Sequence, residues 1–130
     1  MDVLAFKRIT YNWVLKNYGQ EYEILRIDKG FSDLTLTKNG EKKGVEIKFI
    51  GQAMFDLRLE DLFIKTYFEV NQNNYDSFLF IFICPTFEEA TKSTGILERL
   101  RDKFTSLKMS FEIIIGTIDE NTFKPVVHLK

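Results

Sequence analysis

The stretch SDLTLTKNGEKKGVEIKF, residues 32–49, decides how the rest of the chain is read. Two runs of β-favouring residues flank Lys38-Asn39-Gly40-Glu41, and Asn-Gly supplies the positive φ values that a tight type I′ hairpin turn requires. Residues 31–37 and 44–50 are therefore expected as paired strands. Side chains two apart in a strand point to one face. Asp33, Thr35 and Thr37 then share a face opposite Leu34 and Leu36. Glu46 and Lys48 share a face opposite Val45, Ile47 and Phe49, which is the expected packed face. A two-residue loop pairs Lys38 with Glu41 and, counting back, Asp33 with Glu46. A four-residue loop shifts the register by two and leaves the faces unchanged.

Outward from the hairpin, residues 3–18 follow a helical period, with Phe6, Ile9, Trp13 and Leu15 or Lys16 near one another on the wheel. Asp2 stands where a cap would, and Gly19 follows the end. Residues 22–27 alternate as a strand, so the hairpin is the later part of a three-stranded meander. Residues 55–73 read as a helix, with Leu59, Leu62 or Phe63, Thr66 and Val70 on one stripe. Residues 77–84 are nearly all apolar, as in a strand buried on both faces, and Pro85 stops them. Thr86-Phe87-Glu88-Glu89 fits a capping box, opening a helix with Ile96, Leu97, Leu100, Phe104 and Leu107 on one stripe. Residues 111–118 form another buried strand, and 123–129 an edge strand that tolerates Pro125. The expected fold is α/β, a mixed central sheet flanked by helices, in a single domain over residues 1–130.

The bulk composition narrows the function classes. A chain of 130 residues carries one real core, and thirteen Phe make that core aromatic-rich. A net charge of −1 gives no global basic field for nucleic acid, leaving only a local patch. The single cysteine, Cys84, forms no internal disulfide and fits a reducing compartment. No long apolar run reads as a signal peptide or a membrane span, so a cytoplasmic location is expected.

The hairpin face carries the chemistry. Opposed residues on paired strands have Cβ atoms about 4.5–5.5 Å apart, and two carboxylates that close repel unless a cation lies between them. A divalent metal is the usual cation. Mg2+ or Mn2+ would take Asp33 and Glu46 as ligands, with the backbone carbonyl of Ile47 as a further one. Lys48 would orient an attacking water or stabilise the transition state. That set suits metal-assisted hydrolysis of a phosphodiester. Lys38, Lys42 and Lys43 at the hairpin are the candidate contacts to a nucleic-acid backbone.

Asp33, followed after a hairpin by Glu46-Ile47-Lys48, resembles the PD-(D/E)XK nuclease superfamily. That group includes restriction endonucleases, archaeal Holliday-junction resolvases and many repair and mobile-element nucleases. Its core order of helix, three strands, helix, strand is similar to the order read over residues 3–84. The resemblance implies a restriction-endonuclease-like core and an endonuclease acting on DNA. Gln52 resembles a glutamine often found just past the lysine in these enzymes, which would hold a phosphate or the metal's water shell. The chain departs from the pattern in two places. Ser32 stands where the name-giving proline would be. Many members also place an acid on the first helix, whereas this helix has none in its body. Asp2 at its start is the candidate for a carboxylate otherwise unassigned.

A duplex or junction needs two cuts, and one domain offers one site, so a homodimer is expected, with residues 55–75 as the candidate interface. Length resembles that of junction resolvases or small viral and mobile-element nucleases, and both stay open. The rival reading is a nuclease-like fold kept as a nucleic-acid-binding or assembly module with little catalysis. Elsewhere the bland readings prevail. His128 is the only histidine and reads as a surface residue, and Cys84 as a small apolar side chain. Lys92, Arg99, Arg101, Lys103 and Lys108 alternate with Glu98 and Asp102, as on a solvated helix face.

Overall fold

Asn39 and Gly40 close the hairpin as a two-residue loop. Both have positive φ, 52° and 81°, and Lys38 pairs with Glu41 across them, which removes the four-residue alternative. The computed structural model describes residues 3–26, 33–50, 56–105 and 111–130. Its elements run α1 (Val3–Tyr18), β1 (Glu23–Arg26), β2 (Leu34–Lys38), β3 (Glu41–Phe49), α2 (Asp56–Asn73), β4 (Ser77–Cys84), α3 (Phe87–Thr105), β5 (Phe111–Asp119) and β6 (Thr122–Leu129). This is the element order read from the sequence. The boundaries differ at the hairpin: β3 begins at the turn itself, and β2 begins at Leu34, with Asp33 on a bend just before it.

The strands form one open mixed sheet of six, in chain order β1 to β6. Strands β3, β4 and β5 are mutually parallel, while β1, β2 and β6 join antiparallel. Parallel neighbours need a crossover, and α2 and α3 supply the two. Helix α1 lies on one face, above a cluster that includes Leu34, Leu36, Val45, Ile47, Leu79, Ile81 and Ile114. The other face holds Phe78, Phe80, Phe82, Phe111 and Ile113, covered by Leu59, Phe63 and Val70 of α2 and by Leu97, Leu100 and Phe104 of α3. Strand β3 is thus packed on both faces. Val45 and Ile47 are fully buried beneath α1, with Phe49 packed against them, as read, and helices on the second face of the sheet leave Glu46 only 8% exposed as well.

Helix α1 also corrects its expected stripe. Thr10 and Val14 are fully buried, and Leu15 is exposed. At 100° per residue the buried arc passes through positions 6, 9, 10, 13 and 14, and Leu15 falls outside it. Phe6 stacks on Phe49 at 5.2 Å and Trp13 meets Phe123 edge-on at 5.0 Å, which fixes the helix to the sheet. Helix α3 starts at its cap as read, with the Thr86 hydroxyl accepting the Glu89 amide at 3.1 Å. Strand β6 bulges opposite Ile115 and Gly116, where Pro125 pairs with Gly116. A side chain at Gly116 would meet the Lys124 carbonyl at 2.5 Å, so the bulge requires glycine there. No helix among the described residues is long and apolar enough to cross a membrane.

Candidate metal-binding site

Ladder pairing between β2 and β3 ends at Leu34 and Val45. One step beyond it the side chain of Asp33 turns back onto β3, and its Oδ2 accepts the Ile47 amide at 2.8 Å. Asp33 and Glu46 are therefore not a ladder pair, as counting back along the strands suggests. They are brought together by a side-chain-to-backbone bond at the end of the ladder. That bond leaves Oδ1 of Asp33 available, and Lys7 Nζ of α1 approaches it at 3.5 Å.

Glu46 projects from β3 beside Phe80 of β4, and Lys48 projects beside Phe82. Glu46 is in register with Phe80, which is fully buried, and is itself only 8% exposed. Its Oε1 meets Lys48 Nζ at 3.1 Å. Its Oε2 is buried and has no hydrogen-bond partner among the described residues. Burial pushes the Glu46 carboxyl above the usual glutamate range and the Asp33 charge pushes it further, with Lys48 and Lys7 only partly offsetting them. An ionised carboxylate whose buried oxygen has no partner among the described residues is costly, and either a proton, the direction of the shift, or a bound cation would relieve that cost. The donor set fits Mg2+ or Mn2+. Asp33 and Glu46 supply charged oxygens, and the Ile47 carbonyl lies in the chain between Glu46 and Lys48.

The described residues contain no group of three or more acidic, histidine or cysteine side chains able to hold a metal. The site has two carboxylates, so water or residues outside the described set must complete a hexacoordinate ion. Asp2 and Gln52, the expected further carboxylate and the expected glutamine, both lie outside the described residues. Lys7 is the residue that sequence reasoning missed. Lys7 lies at the edge of the arc that carries Thr10 and Val14, both fully buried, and a cation there calls for an anionic partner, but that partner sits on another element and is not readable from the sequence.

The three hairpin lysines do not form one patch. Lys38 and Lys43 lie over the Tyr22 ring, at 5.5 and 5.9 Å, while Lys42 lies over Tyr75 at 4.3 Å on the opposite side. The alternation along a strand separates neighbours. Lys43 is further committed to Glu112 at 3.1 Å, and its side chain is mostly buried, so it is not a hairpin-tip cation. Glu112 also bonds His128, which is a surface residue, as read, and is tied through that contact into the Lys43–Glu112 network. Burial raises the Glu112 carboxyl, but the His128 and Lys43 contacts outweigh that and hold it below the usual range. Burial, then the Glu112 charge, pushes the nearby Tyr18 phenol up to about 12.

The remaining bland readings stand. Cys84 is buried, which pushes its thiol up to about 11 and away from nucleophilic use. On α3, Lys92 pairs with Glu88, Arg101 with Asp102, and Lys103 with Glu60 of α2. Lys108 lies outside the described residues. No family model, curated protein or solved structure matches the chain.

Proposed function

We propose that this chain is a metal-dependent endonuclease that hydrolyses phosphodiester bonds in DNA, built on a restriction-endonuclease-like core and related to the PD-(D/E)XK nucleases. The observation that carries the reading is the buried Oε2 of Glu46, without a hydrogen-bond partner among the described residues, beside a second carboxylate, Asp33. A domain optimised only for stability has no use for that arrangement, because replacing buried charge with apolar groups is often neutral or stabilising. Asp33 and Glu46 would hold Mg2+ or Mn2+, assisted by the Ile47 carbonyl. When bound, the metal would acidify a water and polarise the scissile phosphate.

The chain's own residues have separate tasks. The Ile47 amide fixes the Asp33 carboxylate, so one ligand is oriented by backbone. The Lys48 side chain is 38% exposed, enough to reach a phosphate or water at the surface while its ammonium stays near Glu46. It supplies positive charge where the pentavalent transition state accumulates negative charge. Gln52 is assigned to a phosphate or the metal's water shell. Of the hairpin lysines, Lys38 and Lys42 remain the candidates for the DNA backbone. Two cuts need two copies, and Ile64 and Phe68, one turn apart and exposed on α2, are the apolar surface assigned to a homodimer. The native chain is expected to sediment at twice its mass, and a monomer at assay concentration removes the dimer.

Cleavage of duplex, single-stranded, flap and four-way-junction DNA, with Mg2+ or Mn2+, tests the reading. Lys48→Ala is expected to cut at least about 100-fold more slowly than the native chain while remaining folded, with a lower melting temperature near neutral pH because Glu46 loses its ion pair. A folded native chain that cuts none of these and binds no Mn2+ in calorimetry would instead be a nuclease-fold binding or assembly module.

A further inference from the structure

The four charged groups at the site cancel: Asp33 and Glu46 against Lys7 and Lys48. The two lysines are not equivalent. Lys48 rises from β3 next to Glu46. Lys7 comes from a different element, α1, whose position is fixed by the Phe6–Phe49 stack and by the buried Thr10 and Val14. Its backbone therefore cannot retreat, but its four-carbon stem can swing the ammonium away. The contact is loose, at 3.5 Å, and both side chains keep about a fifth to a quarter of their surface exposed. Asp33, in contrast, is pinned through Oδ2. Only Oδ1 is open to exchange between partners, and Lys7 sits against that atom.

We infer that Lys7 is a resident counter-cation that competes with the divalent metal for Asp33 Oδ1 and so sets the affinity of the site for metal. The inference rests on the metal-site reading above and assigns Lys7 a positioning role, since its effect runs through Asp33. In the metal-free chain Lys7 limits the repulsion between the carboxylates. On metal loading its ammonium leaves Asp33, and the site exchanges one cation for another. An ordinary partly buried ion pair predicts the same loss of stability on removal but no gain for metal.

The test is calorimetric titration with Mn2+ of the native chain, Lys7→Met and Lys7→Arg, with thermal melts of each in chelator. Lys7→Met is expected to bind Mn2+ about tenfold tighter, about 1.4 kcal/mol, and to melt lower without metal. Lys7→Arg, which keeps the charge, is expected to bind no tighter than the native chain. Equal or weaker Mn2+ binding by Lys7→Met, with the native chain binding normally, overturns the role of Lys7 and leaves the metal site standing. Absence of Mn2+ binding in both folded proteins removes the site and this inference with it. Lys7→Gln, which retains length and polarity, replaces Lys7→Met if that variant does not fold.

Discussion

Glu46→Gln is expected to melt at a higher temperature than the native chain in the absence of metal, while losing Mn2+ binding and DNA cleavage. The gain follows from the environment of the carboxylate. Burial next to Phe80 and repulsion from Asp33 both disfavour its charged form. A neutral amide of the same shape removes both penalties, at the loss of an ion pair with Lys48 that is itself partly exposed. We expect a net gain of roughly 1 kcal/mol, because the remaining Lys48 side chain is 38% exposed and stays solvated without its partner.

The sign of the pH dependence follows from the same shift. The folded chain holds the Glu46 proton more tightly than the unfolded chain. Between the ordinary glutamate pKa and the raised folded value, the native state binds more protons, so stability falls as pH rises through that window. Melts of the metal-free native chain from pH 4.5 to pH 7 are expected to show this component, and Glu46→Gln to lack it. Glu112, held low, contributes in the opposite sense: its stabilisation is present above the ordinary glutamate pKa and is lost as pH falls through its lowered folded value. That loss lies in a more acidic range and does not obscure the first. A Glu46→Gln variant that melts lower than the native chain at neutral pH would show that the Lys48 pair outweighs burial.

Phe80→Ala is expected to cost roughly 4 kcal/mol, measured by urea denaturation, the largest effect of any single substitution considered. Phe80 is fully buried at the centre of the sheet. Its ring lies 4.6 Å from that of Phe63, 5.1 Å from Phe78, 5.6 Å from Phe111 and 5.7 Å from Phe82. Truncation removes one ring from a connected set spanning α2, β4 and β5, and the flanking strands limit collapse into the space left. Because Phe80 is also the neighbour of Glu46 in β4, the same variant opens the carboxylate to water. The pH-dependent component assigned to Glu46 is expected to shrink with it. A loss under about 1 kcal/mol would mean that the surrounding rings close the gap.

The hairpin was legible because its signals are local. Asn-Gly dictates the turn, and the period of two dictates the faces, so Glu46 and Lys48 fall together before any tertiary contact is known. The buried stripes of α2 and α3 were legible for the same reason at a period of 3.6. Three features were not read. Asp33 sits on a bend, where strand periodicity no longer predicts direction, and its bond to the Ile47 amide is a side-chain choice. Lys7 reaches the site from an element with no sequence link to the hairpin. Lys43 is drawn inward by Glu112, a partner from β5, so its place next to the turn was a poor guide to its exposure. Each miss involves a charged side chain whose partner lies on another element.

Loop length separates these contacts in entropic terms. The bond between Asp33 and Ile47 spans 14 residues, the Lys7–Asp33 contact 26, and the Lys43–Glu112 contact 69. Each doubling of a closed loop costs about 0.6 kcal/mol more. The acidic pair is therefore held by the least expensive closure of the three, and its neutralising lysine by a longer one. A swing of the Lys7 side chain on its fixed helix leaves Asp33 bonded to Ile47, so the charge balance of the site can drift without loss of its geometry.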